Sequence, residues 1–314
     1  MTLSVESLNR LAGETGFRLE ILEKVDQLAG LLQALFRDSF LESRLALKGG
    51  TALNLFHFEL PRLSVDIDLN YIGVIDRDTM LTERPQIEQR IQAIAGRRNL
   101  SLTRAPGGHA GCKWTFRYAS VLGGGGTLEV DLNYLYRIPL WPVELRDSHP
   151  LGPVTARNIP VLDIHELAGG KLAALFSRSA ARDLFDAHYL LTAVPTEPGR
   201  LRLAFVLYGA MNRRDWRTIT TNDIEPRLQE ASRQLVPLLV QRQVTRKTEQ
   251  REMLTRLADE TRQALAGLLP LNTKEVSFLD KLLDDGEIRP ELLDCEPALA
   301  TALTQHPALQ WRAR

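Results

Sequence analysis

Lys48-Gly49-Gly50-Thr51-Ala52-Leu53, followed after a short interval by Leu63-Ser64-Val65-Asp66-Ile67-Asp68-Leu69, is the stretch from which the rest of the chain is read. The first part reads as the turn into a helix. Gly49 and Gly50 carry no side chain, so a phosphate can approach the backbone there. Thr51 through Phe58 is apolar and helix-compatible, and the first N–H groups of a helix have no intrahelical acceptor and favour an anion. The second part reads as a strand. Leu63, Val65, Ile67 and Leu69 alternate with Ser64, Asp66, Asp68 and Asn70, and a period of two sets Asp66 and Asp68 on one face, about 7 Å apart along the chain. Carboxylate oxygens suit hard cations, and Mg²⁺ usually bridges one or two of them to substrate phosphates. Two aspartates beside a phosphate-binding helix start make a candidate Mg²⁺-nucleotide site.

The bulk composition bounds the answer. The chain has 314 residues, 44% hydrophobic and 25% charged, which allows one large or two modest domains and excludes global disorder. Formal net charge is zero, so there is no basic coat over the whole molecule, though a local basic patch is compatible with it. Cys112 and Cys295 lie far apart without a CxxC partner, which argues against a zinc site and for a reducing compartment. The N-terminus has no basic-then-apolar leader, and no run approaches the length of a membrane span. The expectation is a soluble, cytoplasmic protein that does not enter the membrane.

Residues 4 to 36 have helical spacing in two pieces, broken between Gly13 and Gly16. A helix is expected over 79–95, with Ile87, Ile91 and Ile94 on one face. Strands follow at 100–104 and 113–118, then the glycine turn Gly123–Gly126. In 127–134, Leu128, Val130, Leu132 and Tyr134 face a core, and Glu129, Asp131 and Asn133 face away from it. The prolines at 139, 142, 150, 153 and 160 read as a linker with short extended pieces. They place a boundary that gives domains 1–155 and 156–314. Asp163 is suited to cap a helix running to about Ser177, with Lys171 on the rim of its apolar stripe, and another helix follows from Ser179. The remainder, 196–314, is helical by pattern. Residues 200 to 247 hold ten Lys/Arg against four Asp/Glu. They read either as an RNA-backbone groove, with Trp216 offered for stacking, or as ordinary solvated helix faces. The acidic stretch 275–296 reads as a solubilising face or a partner surface.

Two motif blocks carry a resemblance. Gly49-Gly50-Thr51-Ala52-Leu53 followed by Pro61-Arg62-Leu63-Ser64-Val65-Asp66-Ile67-Asp68 is the first. Glu166-Leu167, Lys171-Leu172 and Ala174-Leu175 followed by Arg182-Asp183-Leu184-Phe185-Asp186 is the second. Together they resemble the AbiEii/AbiGii toxin family of nucleotidyltransferases, within the superfamily that shares the DNA polymerase β palm. The resemblance spans residues 45 to 190.

It implies an α+β fold: a polymerase β-like nucleotidyltransferase domain with a mixed sheet and flanking helices, followed by a mainly helical C-terminal domain that completes the active site. It implies a third carboxylate on a neighbouring strand, Asp131 with Glu129 as the fallback. Asp66, Asp68 and Asp131 are then the metal ligands for two Mg²⁺ ions, and an NTP is the substrate. Asp66, Asp68, Asp131, Lys171 and Asp183 are the expected catalytic group. Lys48, Gly49, Gly50, Thr51, Ser64, Lys171, Arg182 and Asp186 are the expected nucleotide contacts. Lys171 is expected to reach the triphosphate across a cleft between the domains, and a structural ion pair with Asp183 or Asp186 is the alternative. The implied activity is that of a toxin in a toxin–antitoxin, abortive-infection system. It would transfer nucleotides to RNA, the tRNA 3′ end first among acceptors, and so block translation. A cognate antitoxin encoded next door and a monomeric state belong to the same expectation. The alternatives are nucleotidylation of a small-molecule or protein hydroxyl, and a nucleotide-binding regulatory module without turnover.

Overall fold

The computed structural model describes residues 2–105, 111–241 and 246–314. The chain divides into two compact units: Met1–Leu162 with Pro237–Val244, and Asp163–Val236 with Thr245–Arg314. The change of unit at Leu162 follows the proline-rich stretch. The return of a short C-terminal segment to the first unit was not legible in the pattern. Leu238 and Leu239 are buried there. The Leu63 N–H donates to the Leu238 carbonyl at 2.9 Å, and the Gln241 N–H to that of Gly16 at 2.9 Å.

The first unit is built on a seven-stranded mixed sheet of order β3-β4-β5-β2-β1-β7-β6. In chain order these are β1 Leu45–Lys48, β2 Asp66–Tyr71, β3 Ser101–Arg104, β4 Gly111–Ala119, β5 Gly125–Asn133, β6 Glu144–Arg146 and β7 Ile159–Val161. β2 runs parallel to β5 and antiparallel to β1, and β7 pairs parallel with β1. Part of the proline-rich linker is therefore sheet: β6 and β7 close one edge. Alternation fixes the two faces. Ile67, Leu69, Val130, Leu132, Trp114 and Phe116 are all buried. Their register brings them together on one side, with Ile67 beside Val130 and Val130 beside Trp114. Burying each such large side chain contributes about 1.5–3 kcal/mol. The helix Leu19–Phe36 packs on the sheet, and its Glu23 carboxylate accepts from Ser120 Oγ at 2.6 Å and Val121 N–H at 2.7 Å, tying down the β4–β5 turn.

Local signals explain the helix ends. Gly16 ends the first helix, Val5–Thr15, with φ +76°. Asp76 caps Arg77–Arg97 by accepting from the Thr79 N–H, so this helix is longer than the expected 79–95. Its internal Pro85 is exposed, where water can satisfy the carbonyl it leaves without a donor. The expected strand from Leu63 begins only at Asp66.

The second unit is helical. Asp163 caps Ile164–Arg178 by accepting from the His165 N–H at 2.8 Å, and Ala181–Ala193, Pro198–Ala210, Lys247–Ala264 and Thr273–Leu283 follow. Trp216 overturns one expectation. It is fully buried, 5.3 Å from the ring of Phe176 and 5.1 Å from that of Phe205. A Cβ on Gly209 would overlap its indole. Its apolar area builds the core, so it cannot stack on a base. The basic stretch is also less open than its charge count suggests. Arg214 is tied to the Phe176 carbonyl and Asp223. Arg217 is tied to Asp215, Asp280 and Asp284, and Arg202 to Glu275. Arg213, Arg227 and Arg233 are exposed.

Candidate active site

The site begins where β1 ends. Lys48 is in extended conformation and contributes no side-chain cap to the helical turn Gly49–Thr51 that follows. The chain then continues as a π-helix, Ala52–His57. Single π turns are uncommon and gather at functional sites. Gly49 has φ +73°, a left-handed value that glycine adopts without a Cβ penalty. A Cβ there would run into the Asp68 carboxylate and stand 2.9 Å from the Asp68 Cβ. The start of the helical turn therefore lies directly against Asp68, and only glycine allows it. Two side chains fasten the turn. The Thr51 hydroxyl donates to the Asp66 carbonyl at 2.5 Å, and Asn54 Nδ2 to the Gly50 carbonyl at 3.0 Å. Both side chains are fully buried.

Register assembles the carboxylates. Asp66 stands opposite Glu129 and Asp68 opposite Asp131 on the parallel strands β2 and β5. Lys48 is opposite Asp68 on β1, and Lys113 is opposite Asp131 on β4. One row across four strands thus reads Lys113, Asp131, Asp68, Lys48. All four carboxylates lie on the face away from the apolar core and are partly exposed. Lys113 does not stay with its direct neighbour. Its ammonium lies 2.7 Å from Glu129 Oε2. That hydrogen bond holds the Lys113 ammonium above the ordinary lysine range, against a smaller opposing effect of burial, and the charges of Asp131 and Asp66 act in the same direction as the bond. Lys113 was missed from sequence. The alternation of Lys113, Thr115 and Arg117 puts it on a polar face, but only the pairing with β5 shows which one.

Among the described residues, no three His, Cys, Asp or Glu side chains converge as a preformed metal cage. Mg²⁺ seldom uses such a cage. It keeps waters and binds one or two carboxylates together with substrate phosphates. The oxygen-only set Asp66, Asp68 and Asp131, against a partly exposed glycine turn, fits that chemistry. Ser64 is buried just before β2.

The remaining predicted residues belong to the second unit. Lys171 and Asp186 sit at 2.9 Å, Lys171 and Asp183 at 2.8 Å, and both aspartates are fully buried. Arg178 Nε donates to the other Asp183 oxygen at 2.6 Å. Burial pushes the Asp183 carboxyl up, but the Lys171 charge and the Arg178 hydrogen bond outweigh it and hold the group well below the usual carboxylate range. Arg182 is partly exposed on the same helix as both aspartates. The ion pair weighed for Lys171 is therefore present. It shows the lysine held in one place by two buried carboxylates.

A model of the family described as "Nucleotidyl transferase AbiEii toxin, Type IV TA system" matches residues 30–290. Among solved structures, the fold is similar to that of MenT4, a nucleotidyltransferase toxin from Mycobacterium tuberculosis. The TM-score is 0.68 and the identity 18%, over 94% of this chain and 98% of that one. No curated protein matches the chain.

Proposed function

Starting from a chain that belongs to the AbiEii family of nucleotidyl transferase toxins of type IV toxin–antitoxin systems, we propose that it transfers a nucleotide from an NTP to the 3′ end of an RNA, tRNA first, in a Mg²⁺-dependent reaction. The observation that carries this reading is the register of Asp66 and Asp68 beside Asp131, with Gly49 pressed against Asp68. In the transfer, an RNA hydroxyl oxygen bonds to the α-phosphorus and its proton passes to solvent water. The bond from that phosphorus to the β-phosphate oxygen breaks, and pyrophosphate leaves. Bound Mg²⁺, two ions in the full complement, would polarise the hydroxyl and offset the charge of the leaving group.

The chain's own residues supply the rest. Asp66, Asp68 and Asp131 hold the cation side of the site. The turn at Gly49 and Gly50 offers backbone N–H groups to phosphate, and Thr51 keeps that turn fixed to β2 through the Asp66 carbonyl. Lys48 and Ser64 flank the same turn and strand. In the second unit, Lys171 is assigned to the triphosphate as a point charge, where negative charge builds during transfer. Asp183 and Asp186 position it, and Arg182 assists. The second family motif supports that assignment. The exposed arginines at 213, 227 and 233 are the candidates for acceptor-backbone contacts.

A capped tRNA 3′ end cannot be aminoacylated, so translation stops. As a toxin of such a system the protein has an antitoxin partner, and we place its gene next to this one. No helix among the described residues is long and apolar enough to cross a membrane. An NTP-consuming monomer acting in the cytoplasm completes the reading.

The test is incubation of the purified protein with each α-labelled NTP, Mg²⁺ and total RNA. Label in the tRNA band, lost on periodate oxidation of the acceptor ends beforehand, is the expected result. Label in protein or small molecules with none in RNA would move the acceptor elsewhere.

A further inference from the structure

Four carboxylates share one sheet face in two register pairs, Asp66 with Glu129 and Asp68 with Asp131. Asp131 and Glu129 are both within reach of the aspartates on β2, and strand alternation gives no reason to favour either. Like charges this close oppose one another and oppose an incoming triphosphate. Lys113 breaks the tie. It stands opposite Asp131, yet its ammonium crosses to Glu129 and closes to 2.7 Å. Asp131 makes no hydrogen bond or ion pair through its side chain among the described residues. One of the two competing acids is thus in direct contact with a cation, and the other has no such contact among the described residues.

We propose that Lys113 is a positioning residue that sorts the two acids: by holding Glu129 it keeps that carboxylate out of the metal set and reserves Asp131 for it. The inference rests on the nucleotidyltransfer reading of this face. The length difference makes the sorting matter. A glutamate is one methylene longer than an aspartate, so a cation drawn to Glu129 would sit displaced from the one that Asp68 and Asp131 hold together. Such displacement lowers turnover without removing metal binding. Lys113 also reduces the negative charge of the face by one where the triphosphate must approach. Lysine suits this task because its ammonium is compact and sits on a flexible stem.

The experiment uses the full chain and Mn²⁺ as a spectroscopic stand-in, with bound and free ion separated by electron paramagnetic resonance in the absence of nucleotide. Melting temperatures confirm that each variant folds; Lys113 is exposed, so Lys113→Met should not disturb the sheet. In the wild-type background, Asp131→Asn should weaken Mn²⁺ binding roughly tenfold or more and Glu129→Gln should leave it within about twofold. In the Lys113→Met background the dependence should spread to Glu129. There Asp131→Asn should cost little Mn²⁺ affinity, and kcat should fall about tenfold or more with little change in the KM for NTP. Adding Glu129→Gln to Lys113→Met should restore kcat, and Lys113→Arg should retain most of it. Equal loss of Mn²⁺ affinity from Asp131→Asn and Glu129→Gln in the wild type would overturn the sorting role, as would failure of Glu129→Gln to rescue Lys113→Met. If Asp66→Ala leaves Mn²⁺ binding unchanged, the metal reading of the whole face fails and the proposal falls with it. That outcome is distinct, because it does not depend on Lys113.

Discussion

The Lys171 ammonium and the Asp183 carboxylate lie 2.8 Å apart, with the aspartate fully buried. Removing one partner from such a pair leaves a charge in a low-dielectric interior, which typically costs about 3–5 kcal/mol. Lys171, Asp183, Asp186 and Arg178 therefore act as one unit.

Acid should unfold the protein partly through Asp183. Its folded pKa is depressed by Lys171 and Arg178 against the opposing effect of burial. A depressed carboxylate stabilises the fold above its unfolded pKa, near 3.9, and that stabilisation is lost as pH falls further toward the folded value. Stability measured by urea unfolding should decline below about pH 4 in the wild type. Asp183→Asn should be about 3 kcal/mol less stable at pH 7 and should show a shallower acid limb. Parallel acid limbs for the two proteins would show that the group contributes nothing to the pH dependence.

Lys171→Arg and Lys171→Ala separate the two roles of the lysine. Either change disturbs the ion pair, and Lys171→Ala should lower the melting temperature because it leaves Asp186 and Asp183 short of a cation. The informative quantity is turnover per folded molecule. It should fall at least a hundredfold in both variants, since a planar guanidinium does not replace a compact ammonium on a triphosphate. Near-normal turnover in folded Lys171→Arg would make the residue structural and leave the triphosphate to Arg182 and the glycine turn.

Asp66→Asn and Asp68→Asn should abolish nucleotide transfer and growth inhibition while leaving the circular dichroism spectrum unchanged. Both side chains are partly exposed on the polar sheet face, and asparagine keeps their size. Loss of a cation ligand removes several kcal/mol of transition-state stabilisation. Full activity in either variant at saturating Mg²⁺ would remove these aspartates from the reaction.

Gly49→Ala should fail for a different reason. The left-handed φ of +73° costs an alanine roughly 1–2 kcal/mol, and the new methyl would displace the Asp68 carboxylate. A modest drop in melting temperature with a large drop in kcat is the expected pair of results. A variant with wild-type kcat would show that the turn tolerates a side chain and that Asp68 has freedom to move.

Acceptor binding should respond to the exposed arginines and not to one tied into the fold by an ion pair. Replacing Arg213, Arg227 and Arg233 with Ala should weaken RNA binding and flatten the salt slope by about 0.7–0.9 for each phosphate no longer neutralised. Arg214→Ala should instead cost stability, because that side chain holds the Phe176 carbonyl and Asp223. An unchanged salt slope in the triple variant would place the RNA elsewhere.

What could be read from sequence was what local backbone rules control. The Gly49-Gly50 turn, the Asp66–Asp68 face, the Asp163 cap and the two helices that carry Lys171 and Asp183 are set by neighbours a few residues away. The family and the mixed α/β fold followed from those motifs. Three features were hidden because distant residues decide them. β1 is a four-residue run, Leu45–Lys48, too short to show a period, and it is a strand because β2 and β7 flank it. Leu63 and Val65 alternate like a strand, but the Leu63 N–H is taken by Leu238, so the sheet begins at Asp66. Trp216 beside Arg213-Arg214 looked like a nucleic-acid platform, yet Phe176 and Phe205 absorb it into the core.

The bond between Leu63 and Leu238 sets an order of events during synthesis. A ribosome has made both β2 aspartates long before it reaches Leu238, so the segment leading into β2 waits for a backbone acceptor that most of the chain must precede. A nascent toxin ending before that point has every acid of the sheet face but not the strap that anchors their approach. A frameshift or stop codon upstream of Pro237 would likewise release a fragment that carries the motif without its support.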